Sequence, residues 1–163
     1  MQVRRRKVHM SLGMTLDYTT HGQVNITMLE YIYEILNASN KLDPMSGSTN
    51  SSAATVDLFK VNEYCKKVNT NLDVEFHHPV SKIFFSTKRA SPYNCTSISY
   101  LTTRVREPEK DDWAKLVHLI KYIICKNKLS LILSANGSVI LKWCINGPFL
   151  VHPNIRLHAG GGI

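Results

Sequence analysis

Apolar and polar residues alternate strictly from Val8 to Asp17: Val8, Met10, Leu12, Met14 and Leu16 are separated by His9, Ser11, Gly13, Thr15 and Asp17. A period of two is that of a half-buried strand. Turn residues follow at Thr19 to Gly22, and Val24 and Ile26 continue as a returning strand, so residues 8–27 are expected to form a hairpin. Glycine weakens a strand interior, so Gly13 points to a bulge or a close backbone approach. Thr27, with Glu30 three residues on, forms a capping box for a helix. Its apolar face carries Met28 or Leu29, Ile32, Ile35 and Leu36, and it ends before Asn40.

The composition then shifts to Ser, Asn, Thr, Gly and Pro, which marks a flexible linker over residues 39–55. A short apolar piece at Val56, Leu58 and Val61 is ambiguous. Helical spacing dominates from about 74 to 126: Phe76, Val80, Ile83 and Phe84, then Ile98, Leu101 and Val105, then Trp113, Leu116, Val117, Ile120, Ile123 and Ile124. Pro79 lacks an N–H and costs roughly 3 kcal/mol inside a helix, so the first of these helices is expected to start near His78. Asp111 and Asp112 open the last helix, where acids complement the dipole. Alternation returns at Leu129, Leu131 and Leu133, then, after Asn136-Gly137, at Val139, Leu141 and Trp143, a second hairpin. The expected class is α+β: hairpin, helix, linker, helical bundle, hairpin.

Charge adds a partner to this outline. The net charge is +8, and Lys82, Lys88, Arg89, Arg104, Arg106, Lys115, Lys121 and Lys126 lie between the apolar positions of the helices. A positive face over a small core suits a polyanion such as nucleic acid, and a simply solvated face is the competing reading. Arg4 to Lys7 is a further basic run, either a phosphate contact or a loose terminus. Cys65, Cys95, Cys125 and Cys144 show no paired spacing, so reduced thiols are expected. The sequons at Asn25, Asn37, Asn50, Asn94 and Asn136 carry no weight without a signal peptide. His77 and His78 are adjacent, about 100° apart on a helix, and lack a third ligand at metal spacing. The chain reads as intracellular, cytoplasmic or nuclear, with no membrane span.

Several segments together resemble the C-terminal part of copia-type (Ty1/copia) retrotransposon reverse transcriptases. They are Phe76-His77, Lys88-Arg89-Ala90-Ser91-Pro92, Arg104-Val105-Arg106-Glu107-Pro108, Asp112-Trp113 and Ile120-Lys121-Tyr122-Ile123. Leu12-Gly13-Met14 is similar to the hairpin that supports the primer end in that family. Lys142-Trp143 and His152 to Gly161 resemble the first strand of its ribonuclease H domain. The resemblance implies the end of the palm in 1–38, a linker in 39–55, thumb-like helices in 56–127 and the truncated start of ribonuclease H in 128–163.

The departures are as specific as the matches. Ser91 and Tyr93 replace an arginine and an aspartate of the family pattern, and Cys125 replaces a glycine. Asn146 stands where the family's ribonuclease H domain has its first metal-binding aspartate, and an amide supplies no charge to a divalent cation. The family holds magnesium through an aromatic-x-Asp-Asp hairpin, and the sequence contains none, so no catalytic residue, metal site or cofactor is expected here. The implied partners are an RNA/DNA primer–template duplex and the remainder of a retrotransposon polyprotein. The implied contacts are Leu12, Gly13, Met14, Lys88, Arg89, Arg104, Arg106 and Lys121. A decayed relic without function and a protein-interaction module are the alternatives.

Overall fold

The computed structural model describes residues 6–39, 53, 57–62, 64–65, 70–126, 130–135, 137, 144–146 and 160–162. The alternating run does not make one strand. It breaks into β1 (Val8–Ser11) and β2 (Met14–Asp17), joined by Leu12 and Gly13 alone. Both turn residues have positive φ, 52° and 76°, and Ser11 lies opposite Met14, which is the type I′ hairpin that suits the twist of paired strands. Gly13 is therefore a turn residue and not a bulge. The register puts His9 opposite Leu16 and Met10 opposite Thr15, so the apolar residues of β1 and β2 face opposite ways. Met14 and Leu16 turn inward, whereas Val8 and Met10 are left 45% and 68% exposed.

Next comes β3 (Gln23–Thr27), which pairs antiparallel with β2, placing Ile26 beside Leu16. Thr27 stays in that ladder opposite Thr15 instead of capping the helix. The helix α1 (Leu29–Ser39) begins one residue later than the expected cap allows, with Ile32 N–H donating to the Met28 carbonyl at 2.9 Å. Ala53, inside the expected linker, is buried in the larger core; the linker's other residues lie outside the described ones, Ser39 excepted.

The longest helix, α2 (Thr70–Thr87), runs straight through Pro79. A proline there removes one hydrogen bond, to the carbonyl of Glu75, an exposed residue that water reaches. Against that loss, Phe76, Val80 and Ile83 are all fully buried. At about 1.5–3 kcal/mol for each such side chain, their burial outweighs the proline. A single 3₁₀ turn, Pro92–Asn94, leads to α3 (Cys95–Arg104), and α4 (Lys110–Cys125) follows. The main core brings Ile32 and Ile35 of α1 against the α2 residues, Ile98 and Leu101 of α3, and Leu116, Leu119 and Ile120 of α4. Leu119 is fully buried although the apolar pattern was equally well filled by Val117, which is only half-buried.

After the helices, β4 (Leu131–Ser134) joins the first sheet, pairing antiparallel with β3 through Ile26 opposite Leu131. The sheet order is β1-β2-β3-β4, and the helices fall between its third and fourth strands in the chain. Gly137 has φ 74°, as the Asn-Gly turn requires, but the strand expected at Val139 to Trp143 lies outside the described residues. Two short strands, β5 (Cys144–Asn146) and β6 (Gly160–Gly162), pair antiparallel in a separate sheet. The fold is α+β. No helix among the described residues is long and apolar enough to cross a membrane.

A leucine at positive φ is held against a cost of roughly 1–2 kcal/mol. Leu12→Asn creates the Asn-Gly turn that the geometry prefers and is expected to raise stability by roughly 0.5–1 kcal/mol in urea unfolding. An unchanged or lowered midpoint would contradict the turn geometry. Burial also pushes the phenols of Tyr31, Tyr93 and Tyr100 above their ordinary value. The folded chain then keeps protons that the unfolded chain releases above about pH 10. Their stabilising contribution is complete below that pH and is expected to fall as pH rises through and beyond it, read as a falling urea midpoint.

Candidate nucleic-acid interface

Two of the sequence-predicted contact groups meet where the hairpin touches the end of α2. A Cβ added to Gly13 would lie 3.6 Å from Met28 Cε and 3.9 Å from Tyr31 Cδ2, so the β1–β2 turn rests on the first turn of α1. The Tyr31 ring lies 5.3 Å from that of Phe85, and the Arg89 guanidinium sits over the other aromatic, 3.6 Å from the Phe85 ring centroid. Phe85 lies in the last turn of α2 and Arg89 just past its end, four residues further on. Arg89 Nη1 also donates to the Phe85 carbonyl at 3.1 Å, which satisfies one of the last carbonyls of α2. Met14 and Ala90 belong to the same small cluster, with Ile26 and Met28, so the Lys88-Arg89-Ala90 segment is seated against the hairpin.

The electrostatics agree with that placement. Burial raises the Tyr31 phenol pKa, Glu34 adds to the rise, and the charge of Arg89 opposes it. Lys88 is exposed, with its ammonium 5.2 Å from the Phe84 ring centroid. Leu12 is 70% exposed at the tip of the turn. The assembled patch therefore offers an apolar tip, a guanidinium held over an aromatic ring and an exposed ammonium. Stacking uses the faces of the guanidinium and leaves most of its five N–H donors for an anion.

Arg104 is a different case. Its Nε donates to Asp112 Oδ2 at 3.0 Å and its Nη2 reaches Glu109 Oε1 at 3.1 Å, and its side chain is only 24% exposed. Burial pulls its pKa down, but the hydrogen bond and charge of Asp112 more than reverse this, so the net shift is upward. Asp112, 2% exposed, also accepts the backbone N–H of Glu109 at 3.0 Å, and the two side chains form the capping box that starts α4. The guanidinium therefore ties the end of α3 to the beginning of α4 and is not available as a surface contact. Arg106 is exposed on the turn after α3, and Lys121 is half-buried on α4; neither is drawn into the hairpin patch.

Lys115 also departs from the expected outward face. It is 6% exposed, donates to the Lys60 carbonyl at 2.7 Å and pairs with Asp111 at 2.7 Å, above the ring of Tyr100. Asp111 and Asp112 are thus both engaged by cations of the chain, which does not fit a magnesium ion bound between them. Among the described residues, no three His, Cys, Asp or Glu side chains converge on a metal position. His77 and His78 are exposed on α2, and Asn146 lies in β5 opposite Gly160.

Tyr31 and Phe85 are the residues that the sequence pattern did not single out. The signal available for Phe85 was its distance of four residues from Arg89; nothing in the sequence marks Tyr31. In sequence the chain matches no family model and no curated protein, and its structure matches no solved one.

Removing one partner of a buried ion pair strands the other, so Arg104→Ala is expected to destabilise the fold by roughly 3 kcal/mol. Asp112→Ala should cost a similar amount, and the double variant should cost much less than the two together in urea unfolding. Additive losses would show that the two side chains do not act as a pair.

Proposed function

We propose that this chain is the thumb-side portion of a copia-type reverse transcriptase and that it holds an RNA/DNA primer–template duplex without catalysing polymerisation itself. The observation that carries the reading is the convergence of two segments over seventy residues apart, Leu12-Gly13-Met14 and Lys88-Arg89, through Tyr31 and Phe85. Arg89 and Lys88 would meet phosphates, while the tip of the turn would lie against the sugar edge of one strand. Phosphate contacts fix the register of a protein on a duplex and carry no sequence information. Binding in this mode is independent of base sequence, as a polymerase requires of its template.

Among the described residues no cluster of side chains fits the magnesium of the parent enzymes, and no chemical step is assigned to this chain. A protein-interaction module is the second reading, favoured by one observation. Val8, Met10 and Ile132 share the outer face of the sheet and are 45%, 68% and 57% exposed.

Phosphate binding releases counterions, so affinity for an RNA–DNA hybrid is expected to fall steeply with salt. Fluorescence anisotropy across a salt series should show Lys88→Ala and Arg89→Ala each lowering the slope by about one. The variant Val8→Ser should leave the slope unchanged. Absence of binding at low salt would remove the nucleic-acid reading.

A further inference from the structure

We infer that the helical core holds one buried water molecule, which ties the Ser91–Asn94 turn to α2. A cavity of about 10 Å³ lies among α1, α2, this turn and α4, bounded by the apolar side chains of Ile32, Ile83 and Ile123. That volume admits the centre of one water molecule and nothing larger. Its lining includes three buried polar side chains, Ser86, Ser91 and Asn94, all 2–3% exposed, together with Tyr93 and Lys126.

Their hydrogen bonds to the protein leave a matched set of vacancies. Asn94 Oδ1 is fully buried and has no protein donor. Ser86 Oγ gives its proton to the Ile83 carbonyl at 2.9 Å, so its remaining capacity is as an acceptor. Ser91 Oγ accepts from the Tyr93 hydroxyl at 3.2 Å, so its own proton is still to be placed. One water completes all three, donating to Asn94 Oδ1 and Ser86 Oγ and accepting from Ser91. Three bonds are what an internal water ordinarily makes. A buried acceptor is seldom left without a donor, whereas a dry cavity of this size is lined by apolar groups alone.

The arrangement gives Ser91 and Asn94 a role that the basic residues beside them do not explain. They begin and end the turn that follows Lys88-Arg89-Ala90, and the water would fasten that turn to α2, which ends two residues before Arg89. Asn94 would then be a water-binding residue and not a glycosylation site, consistent with its burial.

Water-selective nuclear Overhauser spectroscopy on the whole chain tests this. Cross-peaks from water are expected at the Asn94 side-chain amide protons and at the methyl groups of Ile32 and Ile123, with the sign of a water that tumbles with the protein. In Asn94→Leu, which keeps the size but removes the acceptor, the two isoleucine cross-peaks are expected to disappear. Their absence from the parent chain overturns the inference, and so does their persistence in Asn94→Leu. A higher melting temperature for Asn94→Leu would equally overturn it, because a dry cavity gains from the apolar side chain. Should that variant fail to fold, the cross-peaks of the parent chain decide.

Discussion

The ring of Tyr31 is where the two halves of this fold are joined. It packs against the small cluster beneath the sheet and also against the large helical core, and among the described residues of α1 it alone serves both. On one side it receives the turn at Gly13, and on the other it meets Phe85. Aromatic pairs add about 0.5–1.5 kcal/mol beyond the area they bury, a modest sum. The geometric effect is larger, because the contact fixes which end of α2 lies beneath the hairpin. It shares that task with the cluster of Met14, Ile26, Met28 and Ala90, which seats the segment after α2 against the hairpin.

The positive charges of the helices divide into two groups by what surrounds them. Arg104 and Lys115 face inward and are matched by acids four to eight residues away, at the start of α4. They hold α3, α4 and the 57–60 segment in register, with Phe59 edge-on to Tyr100 at 5.6 Å as the apolar part of the same joint. Lys88, Arg89 and Arg106 have no carboxylate partner among the described residues. A count of basic residues overstates the charge open to a polyanion. The position of Lys88 and Arg89 beside aromatic rings is more informative than the number of basic residues.

The helical core was legible in the sequence because its apolar residues are large and regularly spaced; Phe76, Ile83, Ile98 and Leu116 are buried where the spacing puts them. The hairpin was legible as β structure, but its faces were not. A turn of two residues leaves an alternating pattern unbroken, so a single ten-residue strand and two short paired ones look identical from Val8 to Asp17. Only the register shows that the apolar set is split between the two faces. Pro79 misled for another reason: local propensity marks a helix start, while burial of Phe76 and Val80 on either side continues the helix. Of the candidate contacts, the hairpin turn and Lys88-Arg89 came together. Arg104 did not join them, because its acidic partners are eight residues or fewer away and the helix geometry that aims them is not visible in composition.

The pairing of β3 with β4 also imposes an order of events. Ile26 and Leu131 are about a hundred residues apart in the chain, whereas the β1–β2 hairpin and each helix close over short loops. Contacts between distant positions form late, since the loop entropy must be overcome before the contact contributes anything. The sheet can therefore gain its fourth strand only after α2, α3 and α4 have drawn the two distant segments together. Until then β3 presents an open backbone edge, and the nascent chain is at its most exposed to pairing with another molecule during the interval between making its helices and closing its sheet.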